Sequence, residues 1–240
     1  MTALAPEPVG IDATCVVVDV DECGVAGVRW AAACADALGV GLVLRSAPDE
    51  DAENDPVHAD VEALLAGLPH LSVHIEHRGR AAVCREGALV VISRASALAA
   101  PPLACRDRHD VVVLCGSRAA LSGCFGVVTA VIDPVGGEGV LRRAVALCRA
   151  RRATRLRVLA RPYWAVCDLP DAIADVVHAA CPDVIVELVR EVRSVQEEAR
   201  LFPSDLLVVS GRERGPAEGL QPAARTALHQ AACPVLLSCS

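Results

Sequence analysis

Residues 205–237, DLLVVSGRERGPAEGLQPAARTALHQAACPVLL, read in succession as a strand, a glycine-rich turn, a helix and a strand. Residues 205–209 are a short apolar run rich in Leu and Val, of strand length. Gly211, Gly215 and Gly219 follow; helical patterning then runs over 223–231, and 234–237 form another short apolar run. Apolar strands joined through helices belong to parallel sheets covered on both faces. Glycines between a strand and a helix are also where many α/β proteins hold a phosphate, because backbone N–H groups there can approach an anion closely.

Working outward, the same alternation occurs twice. In the first pass, residues 15–21 (CVVVDVD) are a strand-length apolar run. Val28, Ala32, Ala35 and Leu38 then recur at helical spacing until Gly39 stops the helix. Residues 42–44 predict a second strand, Val61, Leu64 and Leu65 mark a second helix, and 72–76, 88–92 and 110–114 supply three more strands. The second pass starts at Gly126. Strands are expected at 127–133, 156–159, 184–189, 205–209 and 234–237, with helices on Leu141, Val145 and Cys148, at 171–180, at 195–200 and at 223–231. The expected architecture is α/β: two doubly wound, Rossmann-like parallel sheets of order 3-2-1-4-5, in domains spanning 12–116 and 126–240. The last helix of the first copy, near 96–105, is shortened by Pro101 and Pro102. An alternative alignment pairs DVVVLCG (110–116) with DLLVVSG (205–211). It matches as a string but leaves the first copy without a fifth strand.

Composition narrows the chemistry. Hydrophobic residues are 53% and aromatics 2% of the chain, so the core must be built from Ala, Val and Leu. All 23 basic residues are Arg. Without Lys there is no Walker-type phosphate loop and no Schiff-base chemistry. The 12 cysteines contain no C-x-x-C pair and sit in apolar segments, which favours packing over zinc or redox roles. Uncharged runs such as 119–132 are shorter than the roughly 18 residues of a membrane span, and the N-terminus has no signal-peptide pattern. The expectation is a cytoplasmic protein without membrane contact. A net charge of −7 argues against nucleic-acid binding.

Two quoted stretches carry a family resemblance. VVVDVDECGVAGVRWAAACADALGVGLVLRSA resembles the opening of a universal stress protein domain, and SDLLVVSGRERG with ALHQAACPVLL resembles its fourth strand, glycine loop and closing helix and strand. The resemblance covers most of the chain as a degenerate tandem pair. It implies five-stranded domains that pair through their last strands, here either within one chain or as a homodimer. It further implies a protein of the stress response acting by protein partners or self-association through sheet edges, and not as an enzyme. Some members bind ATP between a first-strand Asp and a loop of the form G-x-x-G followed by G-S or G-T. Carried onto this sequence, the nucleotide-contacting candidates are Asp21, Asp133, Gly211, Arg212, Gly215 and Gly219. The glycines here are spaced more widely than in that motif, and Gln221-Pro222 stand at the Gly-Ser positions. Pro222 has no N–H to offer a phosphate. In the first copy SRASAL (93–98) replaces the glycine loop. The expectation is no cofactor, with ATP in the C-terminal domain as the alternative.

Other candidates have plainer readings. Asp19 and Asp21 form a carboxylate pair with too few ligands for Mg²⁺; helix capping by Asp21 and a local hydrogen bond at Asp19 suffice. Arg142, Arg143, Arg149, Arg151, Arg152, Arg155 and Arg157 gather near a helix C-terminus, where they complement the dipole. His74 and His77 point to opposite faces of a strand, and no nucleophile–base pair emerges.

Overall fold

The computed structural model describes residues 13–46, 56–77, 87–99, 109–132, 137–160, 175, 177–189, 203–211 and 220–239. The first lobe contains β1 (Cys15–Asp19), α1 (Val20–Leu38), β2 (Gly41–Ser46), α2 (Pro56–Ala66), β3 (Val73–His77), β4 (Ala88–Ser93), α3 (Arg94–Ala99) and β5 (Asp110–Leu114). A short helix, α4 (Arg118–Leu121), leads to the second lobe. That lobe contains β6 (Val127–Ile132), α5 (Gly137–Ala150), β7 (Arg155–Ala160), β8 (Ile185–Val189), β9 (Leu206–Ser210), α6 (Pro222–Gln230) and β10 (Val235–Ser238). A helical turn at 177–180 precedes β8. The helix expected at 195–200 and half of that at 171–180 lie outside the described residues.

The strand order is β3-β2-β1-β4-β5-β10-β9-β6-β7-β8. Each lobe is therefore a 3-2-1-4-5 parallel sheet, read inward from opposite ends. This order settles the alignment of the copies: β4 and β9 both occupy the fourth position and β5 pairs with β10 as the fifth, so 110–114 is not the counterpart of 205–209. The two sheets are not separate. β5 and β10 pair antiparallel, with Val113 opposite Val235, Val112 opposite Leu236 and Val111 opposite Leu237, and merge the lobes into one mixed ten-stranded sheet.

Alternation along the strands sends side chains to the two faces of the sheet, where they form three buried clusters among the described residues. Val16, Val18, Leu42, Leu89, Val128, Leu156, Leu206 and Leu236 face α1, α2 and α5 in one cluster that runs across both lobes. Val111, Val113, Leu207, Val209, Val235 and Leu237 face α3 and α6 on the opposite side. The equivalent helices α1 and α5 meet on one face, and α3 and α6 on the other. Each fully buried Val or Leu contributes about 1.5–3 kcal/mol. Every described cysteine except Cys23 and Cys124 is buried. Burial pushes the Cys34, Cys148 and Cys233 thiols up to about 12, as expected of cysteines that pack as small apolar groups.

One local reading changes. β1 ends at Asp19, two residues before Asp21. The Asp19 carboxylate caps α1 by accepting from Glu22 N–H at 3.1 Å, and Asp21 falls in the first helical turn. Gly24, with φ of 59° and ψ of −171°, interrupts the helix after its first turn.

Polar contacts fasten the seam between lobes. Arg143 of α5 pairs with Asp110 of β5, whose other oxygen accepts from Cys239 N–H at 3.0 Å. Arg151 donates to the carbonyls of Ala120 and Leu121, at 3.0 and 3.1 Å, which close α4, and stacks 5.5 Å from the Trp30 ring of α1. Arg155 and Arg157 both reach Glu187, and Arg142 reaches Glu138. Much of the arginine cluster is thus spent on intramolecular structure.

Candidate functional site at the strand carboxyl ends

In a doubly wound sheet the ligand crevice lies beyond the carboxyl ends of the strands, where strand order reverses. That point falls between β1 and β4 in the first lobe and between β6 and β9 in the second.

In the first lobe, β1 ends at Asp19 and the first turn of α1 carries Asp21 and Glu22 at this point, while β4 ends at Ser93, where α3 starts. The two sides are joined directly. Ser96 Oγ donates to Glu22 Oε2 at 2.6 Å and lies 2.9 Å from Ser93 Oγ, which accepts from Ser96 N–H at 3.1 Å. Cys23 Sγ adds a long contact to Val91 O at 3.8 Å. The hydroxyl of Ser96, a donor that an anion could use, is therefore engaged by the chain's own carboxylate. The sequence replaced glycines with SRASAL here. The partner of Ser96, Glu22, was missed because the contact spans 74 positions.

In the second lobe, β9 ends at Ser210 and Gly211 follows, buried. Gly211 N–H donates to Ser238 O at 2.8 Å, extending the β9–β10 pairing. Gln221 N–H is directed at Gly211 O, 3.4 Å away. α6 opens at Pro222, and the Gln221 side chain at its N-cap makes no capping hydrogen bond to the helix. Of the sequence candidates, Asp21 and Gly211 are placed at the carboxyl ends of the two lobes respectively; Asp133, Arg212, Gly215 and Gly219 lie outside the described residues. Among the described residues no group of three or more His, Cys, Asp or Glu is placed to hold a metal ion. Nor is any helix among them long and apolar enough to cross a membrane.

Asp205, read from sequence only as a strand start, has a defined structural task. Its buried carboxylate accepts from Phe125 and Val127 N–H at 2.9 and 3.1 Å, holding the start of β6 against β9.

No protein-family model and no curated protein matches the sequence. Solved structures do match over nearly the whole chain. A universal stress protein from Archaeoglobus fulgidus DSM 4304 superposes with a TM-score of 0.60 at 9% identity, covering 94% of this chain and 96% of its own. A functionally unknown protein from Pseudomonas aeruginosa PAO1 gives 0.54 at 13%, covering 95% and 93%. The cytoplasmic domain of a prokaryotic cation chloride cotransporter gives 0.55 at 13%, covering 94% and 95%. At such identities the likeness is one of fold, and it spans both lobes.

Proposed function

We propose that this chain is a regulatory or interaction protein of the universal-stress type, working in the stress response without catalysis and without an efficient grip on ATP. The observation that carries the reading is the Glu22–Ser96–Ser93 link across the first-lobe crevice, in which an internal carboxylate engages a donor suited to an anion. In the second lobe Pro222 brings no N–H to the first turn of α6, and Gly211 N–H is committed to Ser238. Equilibrium dialysis of the whole chain against ATP should give no saturable binding; a site of micromolar affinity or tighter would overturn the reading.

Partner contact falls on the outer strands. The fifth-strand edges are consumed by each other, so β3 and β8 remain as the sheet's ends. Ile75 and Ile185, exposed at 59% and 62%, lie on these strands. Sheet ends with exposed apolar residues suit pairing with another chain. We place this activity in the cytoplasm.

A second reading keeps an adenine nucleotide in the C-terminal lobe, with Asp133 toward the nucleoside and Gly211, Arg212, Gly215 and Gly219 toward the phosphates. It is favoured by the position of the glycine stretch between β9 and α6 at the carboxyl end of the sheet. On that reading Gly215→Val abolishes ATP binding, and unchanged affinity removes the loop from consideration.

A further inference from the structure

Beyond the last ladder pair, Val113 with Val235, the β5 and β10 chains stay side by side. Ser117 N–H donates to Ala232 O at 3.1 Å, and Gly116 packs so closely on Ala232 and Cys233 that a Cβ there would lie 2.1 Å from Ala232 O. Counting outward along the antiparallel register from Val113 and Val235 brings Cys115 opposite Cys233. Cys115 Sγ lies 2.9 Å from the Cys233 carbonyl oxygen. Both residues are buried, at 9% and 5% exposure, and both are free thiols. Directly opposed residues on antiparallel strands have Cα atoms about 4.5–5.5 Å apart, inside the roughly 4.4–6.8 Å range that a disulfide spans.

We propose that Cys115 and Cys233 are a latent disulfide staple that locks the two lobes together when a hydroperoxide-class oxidant reaches the seam. The pair joins different lobes, whereas Cys148 and Cys181, another neighbouring pair, belong to the second lobe alone. Arg94 supplies the countercharge. Its guanidinium donates to Ala231 O and bonds the Cys115 side chain, favouring the thiolate at both sulfurs, while its buried Nε has no partner. Burial outweighs this attraction in the closed seam and keeps both thiols protonated. Oxidation is therefore gated by opening of the seam, which admits both peroxide and water.

The chemistry balances without further reagents. With hydrogen peroxide, the Cys115 thiolate attacks one oxygen, breaking the O–O bond to give a sulfenic acid and a hydroxide that is protonated to one water. The Cys233 thiolate then attacks that sulfur, forming the S–S bond and expelling hydroxide, which leaves as a second water. The two thiols lose two electrons and the peroxide gains them.

The test uses the full chain carrying Cys124→Ser, which removes an exposed thiol. The protein is treated with hydrogen peroxide or with reductant, both in buffer and in denaturant below the unfolding transition, then alkylated and digested with trypsin. Cleavage at arginine releases 109–118, whose only cysteine is Cys115, and 226–240, which carries Cys233 and Cys239. The expected product links these peptides, with fragmentation placing the bond at Cys233. The oxidised chain should melt roughly 5–15 °C above the reduced one, and both effects should vanish in Cys115→Ser and in Cys233→Ser. Alkylated Cys115 under both conditions, a bond from Cys115 to any other cysteine, or the expected bond without a rise in Tm would overturn the proposal.

Discussion

Gly39 and Gly116 both hold positive φ, at 69° and 91°, yet the surroundings of the two residues differ. A methyl group at Gly39 meets nothing within 4 Å, whereas at Gly116 it would be driven into the Ala232 carbonyl and Cys233 nitrogen. Gly39→Ala should lose about 1 kcal/mol from left-handed backbone strain alone. Gly116→Ala should lose about 3 kcal/mol or more, because strain and collision act together at the lobe seam. Urea-unfolding midpoints of the two variants provide the check, and equal losses would mean that Gly116 does not pack as described. The contrast also explains what sequence could and could not reveal at this scale. Gly39 was legible because a helix stop is local. Gly116 reads only as a linker residue, since its requirement comes from a chain segment far away in sequence. Glu22 and Ser96 escaped notice for the same reason.

At the scale of single elements, strands were read well wherever apolar runs were continuous, as in 88–92, 110–114 and 205–209. The end of β1 was misjudged because residues 15–21 alternate into two carboxylates and look like one strand. A signal was present: Asp19-Val-Asp-Glu22 has the spacing of a capping box, with an N-cap acceptor followed three residues later by Glu. Asp19→Ala should destabilise the chain by about 1 kcal/mol. Measured by thermal or urea unfolding, a loss indistinguishable from zero would remove Asp19 as the helix cap. The arginine cluster was legible as basic residues near the C-terminal end of α5, but not as seam contacts. Asp110 of β5 receives both Arg143 and Cys239 N–H, so its loss takes the countercharge from a partly buried guanidinium and an acceptor from a buried amide. Asp110→Ala should therefore cost about 3 kcal/mol or more, and Asp110→Ala with Arg143→Met should recover part of it. A double variant no more stable than the single one would show that the ion pair does not couple the lobes.

Across the whole molecule, duplication was the most legible feature, because two series of strands and helices recur in one order. The antiparallel union of β5 with β10 was not visible in any residue pattern. The paired stretches, 111–113 and 235–237, are wholly apolar, and such runs encode burial but not neighbour identity; only the family resemblance suggested last-strand pairing. The buried thiols give the assembled fold a pH signature. Cys34, Cys148 and Cys233 titrate near 12 in the folded chain because burial disfavours the thiolate, against about 9 for an ordinary thiol. As pH rises above 9 the unfolded chain loses these protons first, so thiol-linked stability is complete below that point and falls steadily toward 12. Unfolding free energies measured from pH 8 to 11 should show a plateau and then a steep decline, and the onset should soften in Cys34→Ala. A profile unchanged by that substitution would remove the buried thiols as its cause.

The central claim is a duplicated nucleotide-type scaffold that works by contact and not by holding ATP. Native mass spectrometry of the intact chain, as purified and after addition of magnesium-ATP, tests it most directly. The account predicts polypeptide mass alone in both samples; a species carrying one or two adenine nucleotides per chain, persisting at low ligand concentration, would contradict it.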